Sequence, residues 1–465
     1  MKSLKRTHFS HIQSKPVKVI QFGAGNFVRG FVDWIFNIMN EKQIFEGHVQ
    51  IIQSVSSSKD SHLNAQDGLY HVIEKGLVRG KIKEQLRLIS CVRNTINAQE
   101  EGQRFLEIAK YEKLQFVVSN TTEAGIVFEE EPFEAGRIPK TFPGKLTLLL
   151  YERFQEKLGP LVILPCELIH DNGNTLRKQV LQYCRHWDLG PAFTDWIINE
   201  NIFCNTLVDR IVPGAFDEIT EEVRLKTGFL DLMPVMVEPY YFWAIEAPPA
   251  VREMLPADKC GLNVKYTDNL SYYRERKVRI LNGAHTALMA VGYLHGLRHV
   301  NACFADEKIR DFIFKVVFKE IVPTLNGDRT ELNAFADQVI ERFTNPFIEH
   351  RLLSISLNSV AKFRVRILPT ILRYREINEL LPDGLMRSFA ALIVFYRGHW
   401  RQQQIELRDE PDVVTFFRKV WNETEIARVA TLVLENDKLW GSDLGQISGM
   451  EAALSSHLIS ILSEE

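Results

Sequence analysis

Short apolar runs alternate with helical patterns through the first half of this 465-residue chain. The runs rich in β-branched residues are VKVIQF (17–22), VQIIQSV (49–55), LQFVVSN (114–120), PLVILPCE (160–167) and, later, DLMPVMVEPYYFWAIE (231–246). Continuous apolar strands between helices are typical of a parallel sheet that is covered on both faces. The spacing therefore predicts an α/β first half, with FVRGFVDWIFNIMNE (27–41) as its first helix.

Long helical periods replace this alternation from about Tyr272 onward, and prolines at positions 323, 346, 369 and 382 interrupt them. The predicted helical stretches are 277–298, 306–321, 331–343, 350–375, 385–397, 412–420, 424–435 and 446–463. We therefore expect two domains, an α/β domain at 1–268 and a mostly α-helical domain at 269–465.

Net charge and cysteine spacing exclude several classes of protein. A net charge of −3 leaves no electrostatic footprint for nucleic acid. The six cysteines are scattered without a C-x-x-C pair, which argues against a disulfide framework or a zinc site and fits a reducing cytosol. No apolar segment precedes Pro16 and no run of about 18 apolar residues occurs, so neither a secretory signal nor a membrane span is expected. We expect a cytoplasmic protein with no nucleic-acid, membrane or metal partner.

A glycine-containing turn follows the first predicted strand, in VKVIQFGAGNFVRGF (17–31). Gly23 and Gly25 stand where a dinucleotide-binding turn needs one glycine to bend and another to admit a pyrophosphate. The N-terminus of the following helix would then present free N–H groups to the phosphates. Val28 replaces the third glycine of the usual G-x-G-x-x-G pattern, so a plain tight turn is the alternative.

The residues after the second predicted strand do not show whether the ribose of the cofactor carries a 2′-hydroxyl, as in NAD, or a 2′-phosphate, as in NADP. An acid at this place normally binds the adenosine ribose of NAD. The segment reads IIQSVSSSKDSH (51–62), with no acid directly after Val55 and with Asp60 beside Lys59. This test therefore does not distinguish NAD from NADP.

A lysine, an asparagine and a histidine interrupt the apolar stretch KVRILNGAHTALMA (277–290). On an α-helix Lys277, Asn282 and His285 would lie at about 0°, 140° and 80°, on one broad face about 12 Å long. Gly283 among them would let another backbone or a ligand approach. A lysine with a depressed pKa can exchange a proton with an alcohol or ketone, an asparagine can hold the reacting oxygen, and a histidine can orient hydroxyls. The alternative is a lysine that reaches water and a core histidine bonded to a carbonyl.

Together with further stretches, these two motifs resemble the mannitol dehydrogenase family of polyol-specific long-chain dehydrogenases, and the resemblance covers nearly the whole chain. The stretches that carry it are QFGAGNFVRGFVDW, VSNTTEAGI, LPCELIHDNGN, CNTLVDRIVPG, YRERKVRILNGAHTAL, NPFIEHRLLSISLNSVAKFRVRILP and AALIVFYRG. The resemblance implies an N-terminal Rossmann-type domain with a doubly wound parallel sheet, a mostly helical C-terminal domain, and an active site in the cleft between them.

The resemblance also implies roles for individual residues. Lys277 matches the family's general acid/base, and Asn282 and His285 complete its K-x-x-x-x-N-x-x-H pattern. Asn205, just before TLVDRI, matches an asparagine that helps to hold the reacting oxygen. The implied cofactor is NAD, with contacts expected at Gly23, Ala24, Gly25, Asn26, Phe27, Arg29, Asn120 and Thr121. For Thr121 an ordinary helix N-cap is the alternative, and for Asp209 and Arg210 in the same TLVDRI stretch it is a simple surface pair.

Four cations lie in HRLLSISLNSVAKFRVRILP (350–369), at Arg351, Lys362, Arg364 and Arg366. On one continuous helix Arg351, Lys362 and Arg366 would share a side, because their separations are close to whole turns. The family places a substrate-binding lysine here, and Lys362 matches its position. We therefore expect Lys362, and secondarily Arg366, to bind a substrate carboxylate. Solvation, or pairing with acids of neighbouring helices, is the alternative.

These expectations combine into a metal-independent, NAD-dependent oxidoreductase. Hydride transfer would interconvert the keto group of a hexuronate and the hydroxyl of the corresponding hexonate, while Lys277 exchanges the proton. A relative that uses another hexuronate or an uncharged polyol is one alternative, and a non-catalytic nucleotide sensor is another. The oligomeric state stays open.

Overall fold

A computed structural model describes residues 2–53, 58–121, 123–134, 136–214 and 217–465, and the side chains of residues 58–60 and 123 lie outside this description. The chain forms two compact units. The first comprises residues 2–76 and Ile82–Leu270, and the second comprises Leu77–Lys81 and Ser271–Glu465.

A six-stranded parallel sheet forms the centre of the first unit. From one edge to the other its strands are Val92–Asn97, His48–Gln53, Val17–Phe22, Phe116–Ser119, Val162–Pro165 and Ile202–Phe203. Numbered along the chain, this order is 3-2-1-4-5-6, which is the order of dinucleotide-binding α/β folds. The predicted Rossmann-type parallel sheet is confirmed.

Both faces of the sheet are covered, as its apolar strands require. Alternate residues of one strand enter different apolar clusters: Phe116 and Val118 belong to one and Val117 to the other. The first helix runs from Asn26 to Glu41 and includes a π-helical segment, Arg29–Asp33. The other helices of the sheet's connections are Ser58–Ala65, Gly102–Ala109, Phe142–Gln155, Asn172–His186 and Pro191–Asn199.

The described part of the first unit also contains two three-stranded sheets. Asn205–Asp209 pairs antiparallel with Phe242–Glu246, which pairs in parallel with Val264–Thr267. Val235–Val237 pairs with Tyr70–Val78, whose other neighbour is Lys81–Ile89. The late segment 231–246 therefore supplies strands to two different sheets. The remaining elements are Lys2–Ser3 with its partner Phe229–Leu230, the helices Asp217–Thr227 and Pro249–Met254, and the 3₁₀ turns Arg6–His8, Glu123–Gly125 and Ala257–Cys260.

Helices dominate the second unit, as predicted. The α-helices are Ser271–Arg276, Gly283–Leu294, Val300–Ala305, Glu307–Lys315, Arg329–Phe343, Leu352–Ile355, Ser359–Arg366, Leu368–Asn378, Asp383–Phe395, Pro411–Val420, Ile426–Leu434, Asp437–Trp440 and Met450–Leu462. The π-helical segments are Lys277–Asn282 and Val316–Ile321, the 3₁₀ turns are Val322–Thr324 and Leu444–Gln446, and a small hairpin joins His399–Trp400 to Gln403–Gln404.

The helix Gly283–Leu294 lies at the centre of this unit. All of its residues are buried, and it packs against Asp383–Phe395. Gly292 is a close-approach position, because a Cβ there would lie 2.8 Å from Cys303 Sγ. By contrast, a Cβ at Gly283 would find only ordinary contacts, at 3.6 Å or more.

The prediction of one continuous helix over 350–375 is wrong. Three helices occupy this range, and the first break is a turn over 356–358 that ends at Asn358, whose φ of 51° is left-handed. Asparagine adopts this conformation more readily than other non-glycine residues. Ile367 separates the second helix from the third, which begins with a proline at its second position.

All six cysteines lie within the described part of the chain, where each is buried and free of disulfide bonds. Among the described residues, no helix has the length and apolar composition that a membrane crossing requires.

Candidate active site

The glycine turn has the geometry that a dinucleotide-binding loop needs. Gly23 has φ of 106°, and its N–H donates to the carbonyl of Ile52 on the neighbouring strand. A Cβ at Gly23 would lie 3.1 Å from Asn120 O, so a larger residue would be strained and crowded. Gly25 immediately precedes the helix, and a Cβ there would meet nothing within 4 Å. The turn is therefore tight on one side and open at the helix N-terminus.

Arg29 braces this turn from within the protein. Its side chain is 1% exposed and donates to Ala24 O, Asn26 Oδ1 and Met233 O at 3.1, 2.7 and 2.6 Å. Burial lowers the pKa of the guanidinium. Arg29 thus supports the loop through Ala24 and Asn26, and a direct contact with a cofactor stays a prediction. Phe27 stacks on Phe31 with ring centroids 5.2 Å apart.

Polar groups converge where the fourth and fifth strands of the sheet end. The carboxylate of Glu167 accepts hydrogen bonds from the hydroxyl of Ser119 and from both the N–H and the hydroxyl of Thr121. Asn120 donates to Cys166 O. Burial raises the pKa of Glu167, while these donors favour its charged form. Glu167 fixes the loop that carries the predicted contacts Asn120 and Thr121.

Sequence reasoning did not single out Glu167. The feature that could have identified Glu167 is its position as an acid close after an apolar strand, in LPCELIHDNGN. The segment after the second strand, where no acid directly follows Val55 and Asp60 stands beside Lys59, lies outside the residues whose side chains the structure describes.

Asn205 begins a strand beside this loop region and has an ordered amide. Its Oδ1 accepts from the N–H of Asn174, and its Nδ2 donates to Glu246 Oε1 at 3.3 Å. Glu246 accepts a hydrogen bond from one of the two N–H groups of the Asn205 side-chain amide. The side chain is buried, so its orientation is set by neighbours rather than by solvent.

The surface-pair interpretation of Asp209 and Arg210 is wrong. Both residues are buried, and Arg210 donates to Glu74 at 3.0 Å and to Gly30 O at 2.8 Å. Arg210 therefore links this strand to the helix that follows the glycine turn.

The second unit carries Lys277, Asn282 and His285 on one helical segment, but not on a regular α-helix. Lys277–Asn282 is π-helical, and the α-helix begins at Gly283. The predicted angular positions of Lys277, Asn282 and His285 assumed an α-helix and are therefore wrong over Lys277–Asn282. In a π-helix the hydrogen bond joins residues i and i+5, so Lys277 and Asn282 stand one wide turn apart. Single π turns are frequent at functional sites.

His285 is a buried histidine with an unsatisfied ring nitrogen. Among the described residues Nε2 has no hydrogen-bond partner. The ring packs on Phe343 with centroids 4.2 Å apart and meets His350 edge-on at 4.8 Å. Burial lowers its pKa well below the ordinary value, and His350, Arg342, Arg366 and Lys362 lower it further. The imidazole is therefore neutral, and the alternative of a fully satisfied core histidine is not supported.

Lys362 and Arg366 share the helix Ser359–Arg366, one turn apart. Lys362 Nζ donates to Ile355 O at 3.0 Å, and Arg366 donates to the hydroxyl of Thr286, the neighbour of His285, at 3.4 Å. Burial lowers the pKa of both, and Arg366 adds to the lowering at Lys362.

The other two cations of this stretch lie elsewhere. Arg351 precedes the break at Asn358 and is exposed. Arg364 is exposed and donates to the carbonyl of Lys438. The expected grouping of Arg351 with Lys362 and Arg366 is therefore wrong, since it assumed one uninterrupted helix.

Several positively charged groups act on His285. Arg342, Lys362 and Arg366 all act on its charge, and His350, which is half-buried, packs against its ring. Burial lowers the pKa of His350, with Lys362 contributing. Sequence reasoning missed Arg342 and His350, although His350 stands in the stretch NPFIEHRLL that carried the resemblance. Cations at this density favour an anionic group nearby.

Two family patterns match the chain in succession, the mannitol dehydrogenase Rossmann domain over residues 17–259 and the mannitol dehydrogenase C-terminal domain over residues 269–462. The chain belongs to the mannitol dehydrogenase family. It is accordingly an oxidoreductase that acts on a CH–OH group, which excludes the alternative of a non-catalytic nucleotide sensor.

Relatives within the mannitol dehydrogenase family match over nearly the full length. Altronate oxidoreductase of Bacillus subtilis is 41% identical over 96% of this chain and 93% of its own. Altronate oxidoreductase of Bacteroides thetaiotaomicron is 39% identical over 99% of this chain and 97% of its own. The resemblance stated from the sequence is confirmed.

Two solved structures share the fold of this mannitol dehydrogenase family member. D-sorbitol dehydrogenase in substrate-free form superposes with a TM-score of 0.83, at 21% identity, covering 100% of this chain and 99% of that chain. The ternary complex of Pseudomonas fluorescens mannitol 2-dehydrogenase with NAD and D-mannitol superposes with a TM-score of 0.71, at 21% identity, covering 97% of this chain and 93% of that chain.

Proposed function

We propose that this protein is a cytoplasmic, NAD-dependent oxidoreductase that interconverts D-tagaturonate and D-altronate. The observation that carries the proposal is full-length identity of about 40% to relatives named altronate oxidoreductase. The cations around His285 support a substrate that bears a carboxylate. The solved mannitol 2-dehydrogenase of the same fold holds NAD, which supports NAD as the cofactor.

The first unit provides residues that fit a nicotinamide dinucleotide. The strand order, the left-handed Gly23 and the open helix N-terminus after Gly25 are the features that such a cofactor requires. We propose that Ala24, Asn26, Phe27, Asn120 and Thr121 contact it, with Arg29 holding the turn. The bound cofactor would supply the hydride for reduction and accept it in the reverse direction.

The predicted site residues have distinct roles in the proposed reaction. The Lys277 ammonium donates a proton to the ketone oxygen during reduction, and the neutral amine takes it back during oxidation. Asn205 and Asn282 donate N–H groups to that oxygen and hold it in place. The unpaired ring nitrogen of His285 orients a substrate hydroxyl.

Lys362 and Arg366 would bind the substrate carboxylate as charge-assisted hydrogen-bond donors. Because Lys277 carries the proton step, we propose that the reaction needs no metal, and activity should survive a strong chelator. Loss of activity with a chelator, restored by one divalent metal, would contradict this part.

A substrate panel tests the proposal. Altronate, mannonate, mannitol and arabinitol are each assayed with NAD and with NADP, and altronate with NAD is expected to have the highest kcat/KM. A preference for mannonate would identify a fructuronate reductase, and equal turnover of uncharged polyols would remove the carboxylate argument. Either outcome overturns the proposed substrate.

Charge-removing variants sharpen this test. Lys362→Met is expected to lower kcat/KM for altronate by roughly 10- to 100-fold, in line with a charge-assisted hydrogen bond, and to spare any residual polyol activity. Arg364→Met, on the exposed side of the same helix, is the matched control and should leave both activities unchanged.

A further inference from the structure

A buried polar cluster lies directly beneath the glycine turn, within the first unit. Asp33 stands in the π-helical segment that follows the turn and is 0% exposed. Its Oδ2 accepts from the hydroxyl of Tyr70 at 2.8 Å and, weakly, from the amide Nε2 of Gln21 at 3.5 Å. The same Gln21 amide donates to Gly23 O at 3.1 Å. The carboxyl of Asp33 is therefore one side chain away from the main chain of the turn.

This cluster contains more acceptors than donors. Among the described residues Asp33 Oδ1 and Gln21 Oε1 are both buried without a hydrogen-bond partner. The single proton of Tyr70 faces two acceptors, Asp33 Oδ2 and Arg29 O at 3.1 Å. An unpaired buried acceptor costs about 1–3 kcal/mol, and an unpaired buried charge costs more. One additional proton on the Asp33 carboxyl supplies the missing donor and removes the charge.

We propose that Asp33 is a protonated, uncharged positioning residue for the glycine turn, and that its ionisation weakens dinucleotide binding. The inference rests on the proposed use of this turn by a nicotinamide dinucleotide. Two physical effects link the proton to the ligand. An ionised Asp33 is the stronger acceptor and would draw the Gln21 amide away from Gly23 O. It would also place a negative charge beneath the site of a diphosphate.

Within this cluster, Asp33 is the group whose pKa lies near neutral pH. Burial raises the pKa of Asp33 to about 7, against donation from Tyr70 and Gln21 and the charge of Arg29. The pKa values of Tyr70 and of Cys91, whose thiol donates to Asp33 O, are raised well above their ordinary values, so both stay neutral. Arg29 stays charged, and its donations hold Ala24, Asn26 and Met233.

The sign of the effect follows from this direction of shift. Protonated Asp33 prevails below pH 7 and ionised Asp33 above it, so affinity for the dinucleotide falls as pH rises through about 7. If only the protonated form binds, the Kd of NADH should rise roughly tenfold between about pH 6 and about pH 8. Asp33→Asn mimics the protonated acid, because its amide donates on one side and accepts on the other.

The experiment measures the Kd of NADH across this pH range for the wild type, Asp33→Asn and Asp33→Ala. The asparagine variant should keep the low-pH affinity at every pH, and the alanine variant should bind more weakly at every pH. The effect should appear in the KM for NADH and not in kcat. Asp195→Asn, which removes an exposed aspartate of the same unit, should behave as the wild type. An identical pH dependence in the wild type and Asp33→Asn would overturn the proposal.

A second measurement needs neither a folded variant nor a bound cofactor. It is infrared spectroscopy of the free wild-type protein labelled with carbon-13 aspartate. A protonated-carboxyl band is expected at pH 6, absent in Asp33→Asn and fading as pH rises through about 7. Absence of that band in the wild type refutes a protonated Asp33. Failure of both NADH and NADPH to bind would instead overturn the proposed cofactor use, and the band would still decide the protonation state.

Discussion

The amine of Lys277 carries the most specific chemical assignment at the level of single residues. It is half-buried and lies one π turn before Asn282. Lys277→Ala should lower kcat by about 10²- to 10⁴-fold, the usual contribution of a general acid or base. Steady-state kinetics with altronate and NAD provide the measurement. Lys265→Ala, at an exposed lysine, is the control, and a kcat within tenfold of wild type for Lys277→Ala would refute the assignment.

The charge state of His285 gives a second prediction at this scale. Lys362 and Arg366 both lower its pKa. Removing either cation, in Lys362→Met or Arg366→Met, should therefore raise the pKa of His285. Titration of the imidazole C–H resonances by NMR measures the change, with Arg364→Met as the control. An unchanged titration in both variants would show that these cations do not act on His285.

A buried neutral histidine also affects stability. Its folded-state pKa lies below its unfolded value, so its contribution to stability is present above about pH 6.5 and is lost as pH falls toward the folded pKa. The urea midpoint should therefore fall between about pH 7 and about pH 5. His285→Gln, which cannot be protonated in this range, should show a smaller fall, and an equal fall would contradict the argument.

At the level of elements, two glycines of the helix Gly283–Leu294 should respond oppositely to alanine. A Cβ at Gly283 meets only ordinary contacts, so Gly283→Ala should stabilise the protein by about 0.5–1 kcal/mol through helix propensity. A Cβ at Gly292 would clash with Cys303, so Gly292→Ala should destabilise by about 1–3 kcal/mol. Urea unfolding of the two variants gives both free energies. Destabilisation by Gly283→Ala would mean that this position needs glycine after all.

Sequence patterns predicted some elements well and others poorly, for local reasons. The strand, turn and helix around Gly23 and Gly25 were predictable because adjacent residues determine them. The π segment Lys277–Asn282 was not, because the same apolar pattern permits either hydrogen-bond register. The helix break over 356–358 was missed because apolar spacing continues across it, and spacing alone does not reveal that Asn358 adopts a left-handed φ.

At the scale of the whole molecule, the alternation of strands and helices was enough to predict a parallel sheet followed by a helical region. Clusters assembled from distant residues were not predictable. Gln21, Asp33 and Tyr70 come from a strand, a helix and a strand of another sheet, and no periodicity joins them. The same holds for Arg342 and His350, which tertiary packing brings to His285.

Cofactor binding should stabilise the folded protein as a whole by mass action. At a concentration about 100 times its Kd, NADH should add about 2.7 kcal/mol and raise Tm. Gly23→Val should abolish this shift, because valine is strained at a φ of 106° and would crowd Asn120 O. Thermal unfolding with and without NADH measures both effects. A full shift in Gly23→Val would place the cofactor elsewhere.

The six buried thiols can report local unfolding, because they react only when the structure around them opens. Five belong to the sheet-containing unit and Cys303 to the helical one. A reagent that alkylates cysteine can reach them only when the surrounding structure opens, so each modification rate reports the opening free energy of its own neighbourhood. Mass spectrometry of native protein pulsed with such a reagent would thus rank the two units by local stability without any introduced label.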